Sequence, residues 1–152
     1  MTHMDSSTEP SMELALGRLV AFYETLSVQS LAQLGAVYAP DASFKDPFND
    51  VQGHAAILAI FERMFVQVDA PRFVVTGSVR QGPQAFLTWE FRFHMRRHVK
   101  GEQCIQGATH VCFDTEGRVA SHRDYWDAAE ELYEKLPVIG ALMRWLKRAS
   151  SH

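Results

Sequence analysis

Two stretches of this chain carry groups that can move protons. The first is SFKDPFND, where Asp46 stands directly before Pro47 and two residues after Phe44. A carboxylate held away from water becomes a useful general base, because desolvation lifts its pKa toward neutrality. The same Asp-Pro pair also makes turns, since Asp bonds its own downstream backbone and Pro fixes φ. Residue type alone leaves both readings open. The second stretch is HRDYW. On a strand, with its period of two, His122, Asp124 and Trp126 share one face. An imidazole beside a carboxylate can pass a proton. The plainer reading of His122 is a ring satisfied by a backbone carbonyl. An aspartate on so apolar a face is costly to bury without a purpose.

Other chemistries are not supported. The seven histidines are scattered, and no two sit at ligand spacing on one helix face, so no metal is expected. His54, after Gly53 at a helix start, reads as local packing. His110 alternates onto the outer side of its strand. Cys104 and Cys112 fall in one predicted strand. Eight residues of strand hold them roughly 26 Å apart, too far to bridge. A reduced, cytoplasmic protein is the simplest expectation.

The elements that must position these groups follow from periodicity. Leu16, Leu19, Val20, Tyr23 and Leu26 make one helical stripe, and Leu31, Leu34, Val37 and Tyr38 a short second one. Ser43 to Asp46 reads as a short strand. Gly53 precedes a third helix, with Ile57, Ile60, Phe61, Met64, Phe65 and Val68 on its apolar side. After Pro71 the period drops to two. Strands are predicted over 72–80, 85–98, 102–113 and 118–126, with a hairpin turn at 114–117. In the second of these, Leu87, Trp89, Phe91, Phe93 and Met95 alternate with polar residues. A helical tail broken at Pro137 carries the stripe Leu132, Leu136, Ile139, Met143 and Leu146.

The bulk numbers agree with one domain. The chain has 152 residues, enough for an unstapled core, with 47% hydrophobic and 22% charged residues. A net charge of -3 argues against a nucleic-acid partner. No apolar run is long enough for a membrane span, and a membrane-surface role for the tail is opposed by Glu130, Glu131 and Glu134.

With this order of elements the chain resembles the nuclear-transport-factor-2-like superfamily, and within it the SnoaL-like and ketosteroid-isomerase-like proteins. The resemblance rests on a tyrosine closing the second helix, then APDASFKDP, GHAAI, four strands, and a last strand of the HRDYWD type, over residues 12–130. It implies an α+β cone: a curved antiparallel sheet packed on N-terminal helices, with a pocket at the open end. It puts Asp46 where the steroid isomerases carry their proton-transferring base. Their two oxyanion-stabilising groups would fall at Phe22 and Thr109, so that oxyanion hole is not matched. Tyr23 is one residue off and would point about 100° away on a helix.

The same resemblance turns the His122, Asp124 and Trp126 face inward, where cyclase-type members keep an acidic residue. It makes Asp46, Asp124 and His122 the catalytic candidates. It places Phe22, Tyr38, Phe44, Phe61 and Phe65 from the helical side in the pocket, and Leu87, Trp89, Phe91, Thr109 and Trp126 from the sheet. The Asp-Arg-Asp set of the fold's epoxide hydrolases is not matched, because Arg123 should point outward. The expected domain layout is a disordered leader over 1–10, the SnoaL-like domain over 11–130, and a helical extension over 131–152. The implied ligand is a hydrophobic small molecule handled without a cofactor. The implied assembly is a homodimer through the outer sheet face of Glu90, Arg92 and His94. A non-catalytic binding or interaction domain of the same fold is the alternative.

Overall fold

The computed structural model describes residues 8–96, 100–127 and 148. Helix α1 (Thr8–Glu24) is followed by a 3-10 turn (Ser30–Gln33), the single helical turn α2 (Leu34–Val37), strands β1 (Tyr38–Lys45) and β2 (Asp50–Gln52), and helix α3 (His54–Gln67). Four strands complete the domain: β3 (Val68–Gln81), β4 (Gln84–Met95), β5 (Glu102–Phe113) and β6 (Val119–Tyr125). They form one six-stranded sheet in the order β2-β1-β6-β5-β4-β3. The helical extension expected over 131–152 lies outside the described residues apart from Arg148. Helix α1 begins inside the stretch that the sequence leaves unpatterned. Among the described residues no helix is long and apolar enough to cross a membrane.

The sheet is mixed, which corrects the expected antiparallel one. β1 runs parallel to β6, with Ser43 opposite Ser121, Phe44 opposite His122 and Lys45 opposite Arg123. The chain reaches β1 before the meander begins, and the last meander strand returns alongside it in the same direction. A second difference concerns Tyr38, which opens β1 instead of closing the second helix. Pro40 contributes, because it drives Ala39, the residue before it, out of the helical region and the helix must end ahead of it. Helix α2 stops at Val37, and Tyr38 already sits at φ −105°, ψ 139°. The short strand β2, absent from the sequence reading, is a hairpin return that Asp46 and Asn49 close by a backbone hydrogen bond of 2.9 Å.

β3 is longer than the periodicity suggests and runs through Pro71. An edge strand tolerates this, since proline needs only an unpaired or bulged position. The pairing with β4 slips between Asp69 and Arg72, where Ala70 takes φ 49°. The alternation in β4 behaves as expected: Leu87, Trp89 and Phe93 are buried and pack against Leu19, Phe22, Tyr23 and Phe61 from the helices. This core holds α1 and α3 on the concave side of the sheet. It closes incompletely at the end where β1 and β6 finish.

Candidate functional site

The gap in the core is a cavity of about 170 Å³. Its walls are almost wholly apolar. Phe44 and Phe61 close one side, and Leu87, Trp89, Phe91 and Phe93 of β4 form the floor. Polar groups converge at one place: Tyr23 from α1, Asp46 and Asn49 from the β1–β2 turn, Thr109 from β5 and Asp124 from β6. A mostly apolar concave site with a few convergent polar groups is the usual form of a small-molecule site.

Strand register builds the polar cluster. Leu87, Thr109 and Asp124 lie in one cross-strand row, because Leu87 pairs with Thr109 and Thr109 with Asp124. The Trp89 indole N–H donates to Thr109 Oγ1 at 2.8 Å, and that hydroxyl donates to Asp124 Oδ1 at 2.6 Å. This needs Gly107, since a Cβ there would overlap the outer edge of the Trp89 ring. The same Oδ1 accepts from His122 Nε2 at 2.7 Å. Asp124 thereby selects the tautomer with hydrogen on Nε2, which leaves Nδ1 to accept.

Two tyrosines sit at Nδ1. Tyr38 is 3.0 Å and Tyr23 3.2 Å from it, and the two hydroxyls are hydrogen-bonded to each other. His122 is only 2% exposed and lies flat on Phe44, ring centroids 4.3 Å apart. Burial, reinforced by Tyr38 and by the nearby Asp124 charge, holds the Tyr23 hydroxyl well above its ordinary pKa. Burial does the same for Tyr38. Both therefore stay protonated and act as hydrogen-bond donors.

Asp46, on the cavity wall at the end of β1, reconciles its two readings. Its Oδ1 caps the turn, accepting from the backbone N–H of Phe48 at 2.7 Å and of Asn49 at 2.6 Å, and from Asn49 Nδ2 at 3.1 Å. Among the described residues its Oδ2 accepts only from Asn49 Nδ2, at 3.0 Å, which leaves lone pairs on that oxygen. Burial raises the Asp46 pKa above the usual carboxylate value. The bonds from Asn49 and the backbone pull it back, and Asp124 pushes it further up. Asp46 is thus a turn former and a cavity carboxylate at once.

The sequence candidates divide accordingly. Asp46, Phe44, Phe61, Leu87, Trp89 and Phe91 line the cavity, as do Thr109, Asp124 and Trp126. Phe22, Tyr38, Phe65 and His122 do not. Phe22 is core, packed edge-on against Phe61 and Tyr38. Tyr38 and His122 stand behind the wall as partners of groups that reach it. Sequence reasoning passed over Tyr23, because 100° of helix rotation should separate it from position 22. The concave sheet buries a wide arc of α1, however, so both residues face inward. A tyrosine in an apolar stripe was the available signal, since a buried phenol hydroxyl needs a partner. Among the described residues no cluster of three metal-ligating side chains occurs.

The family model of the SnoaL-like domain matches residues 19–122. Solved structures share the fold at low identity. A Catenulispora acidiphila protein with a ketosteroid isomerase-like fold, in complex with trimethylamine, is 16% identical with TM-score 0.66, over 78% of this chain and 89% of that one. An NTF2-like protein of unknown function from Burkholderia pseudomallei K96243 is 14% identical with TM-score 0.68, over 81% and 95%. An LEH-like epoxide hydrolase of M. tuberculosis is 14% identical with TM-score 0.65, over 90% and 98%.

Proposed function

This chain belongs to the SnoaL-like domain family, and on that footing we propose that it binds an apolar carbonyl compound and moves a proton on it by aspartate general acid–base chemistry, without a cofactor. The observation that carries the reading is that Asp46, Asp124 and Tyr23 line one apolar cavity. Asp46 Oδ2 takes a proton from the carbon beside the carbonyl. The C–H electron pair moves into a C=C bond, and the carbonyl oxygen takes on negative charge. Tyr23 donates a hydrogen bond to that oxygen while Tyr38 stays on His122 Nδ1. Such donors carry much of the barrier lowering in this chemistry. Asp46, now protonated, returns that proton to the second carbon, or to the same carbon in simple exchange, while the Asp124 carboxylate, held by Thr109 and His122, keeps Asp46 basic by its charge. The apolar walls keep water from competing.

Exchange of α-protons into D2O, followed by NMR on butyrophenone, tests this. Exchange above the buffer rate is expected from the native protein, with loss in Asp46→Asn and in Tyr23→Phe. Bound ketone with no exchange would leave a binding protein. One observation favours that second reading: three donors already hold Asp46 Oδ1. Assembly is a separate proposal: a homodimer through the outer face of β4, where Arg92 bridges Glu90 and Glu102. Light scattering on the purified chain tests it.

A further inference from the structure

The cavity has an annexe. A second recess of about 550 Å³ lies over the ends of β1 and β6, lined by Lys45, Pro47, Arg123, Tyr125 and Asp127. Asp46, Asp124 and Trp126 line both spaces. A molecule that fills both spaces therefore passes these two carboxylates. Such a ligand runs in a definite order: apolar head, reacting centre, outer arm.

Size limits the head. An apolar cavity of roughly 150 Å³ holds one benzene, whereas sites for drug-sized molecules run from about 300 Å³. At about 170 Å³ the inner space takes a single ring.

Charge characterises the arm. Lys45 and Arg123 are direct cross-strand neighbours on the exposed side of β1 and β6. Like charges placed so repel each other and destabilise the pair. Local partners do little to relieve this. The Lys45 ammonium lies 3.9 Å from Asp50, with both side chains exposed, and Arg123 lies over the Tyr125 ring at 4.8 Å. Neither contact uses the guanidinium fork. The recess carboxylates, in contrast, are occupied. Asp46 and Asp124 are bonded as described, and Asp127 has a partner of its own. An anion is the group that uses the two cations without displacing anything.

We propose that the ligand is a monocyclic apolar carbonyl compound with an anionic arm, its ring in the inner cavity and its arm against Lys45 and Arg123. This rests on the reading of the cavity as a ligand site, and it adds the substrate class. Three probes sharing an aryl ketone separate the parts: butyrophenone, 3-benzoylpropionate and 3-(2-naphthoyl)propionate. Calorimetric titration at low salt should give 3-benzoylpropionate about fivefold tighter binding than butyrophenone, the scale of one exposed charge contact. That preference should vanish in the folded double variant Lys45→Ala/Arg123→Ala and shrink with salt. The naphthoyl probe should bind at least tenfold more weakly than the benzoyl one. Equal affinity of the first two probes, a preference that survives the double variant, or a naphthoyl probe that binds equally well would overturn the proposal. Binding alone is measured, so absent turnover with this affinity order intact counts only against the catalytic reading. Butyrophenone binding without the order counts only against the anionic arm.

Discussion

Removing the Asp124 carboxylate is the most informative single change. Asp124→Ala takes away the acceptor of two buried donors, Thr109 Oγ1 and His122 Nε2. An orphaned buried donor costs about 1–3 kcal/mol, so the pair costs about 2–6 kcal/mol. The Asp124 side chain is 19% exposed, against 1% for His122. Water from the cavity can therefore replace part of the carboxylate, which narrows the figure to about 2–4 kcal/mol. At about 2–4 °C per kcal/mol for a chain of this length, Tm falls by about 5–15 °C. Asp124→Asn separates geometry from charge. Its amide oxygen still accepts from both donors, so the loss is limited to the charge-assisted share, about 1–2 kcal/mol. Urea unfolding of the three proteins at pH 7 gives the answer. A loss under about 1 kcal/mol in Asp124→Ala, or equal losses in both variants, would refute a carboxylate-centred network.

The remaining predictions concern the same cluster. Tyr23→Phe leaves Tyr38 on His122 Nδ1, so stability should fall by only about 1 kcal/mol, while α-proton exchange falls by about 10²–10³-fold; comparable losses in both would mark a structural hydroxyl. The raised Asp46 pKa places the acid limb of kcat/KM above the usual carboxylate range, and Asp46→Asn should abolish that limb. The linked stability effect has a definite sign: folded Asp46 holds its proton more tightly than unfolded Asp46. Its contribution therefore falls as pH rises from the unfolded pKa through the folded one, and is flat below that window. A pH series of urea midpoints, native against Asp46→Asn, should show this difference. Gly107→Ala should push the Trp89 ring off β5 at a cost of about 1–3 kcal/mol, visible as a shifted tryptophan emission and weaker ketone binding.

Much of this architecture is legible in the sequence because periodicity reports burial directly. The 3.6-residue stripe of α3 and the two-residue alternation of β4 name their inward residues without further information. The shared face of His122, Asp124 and Trp126 follows from the same rule. What stays hidden depends on contacts between distant segments. The parallel seam of β1 and β6 leaves no trace in either strand, because pairing direction is not encoded in eight residues of alternation. Tyr23 was hidden for a related reason. Helix rotation predicts which way a residue points, but how wide an arc the facing sheet covers depends on its curvature. The dual use of Asp46 needed coordinates too, since turn capping occupies one oxygen and the cavity is served by the other.

The β1–β6 seam has a kinetic consequence. Tyr38 and His122 are 84 positions apart, while every other long pairing in the sheet joins neighbours along the chain. Closing so long a loop is an entropic cost met only when the final strand docks, and non-local pairings of this kind slow folding. The meander can assemble from local hairpins, but Asp46 and Asp124 come to line one cavity only after docking. On the proposed function, the site is therefore completed with the docking of the last strand, and partial opening of that one seam would disassemble it while leaving most of the sheet in place.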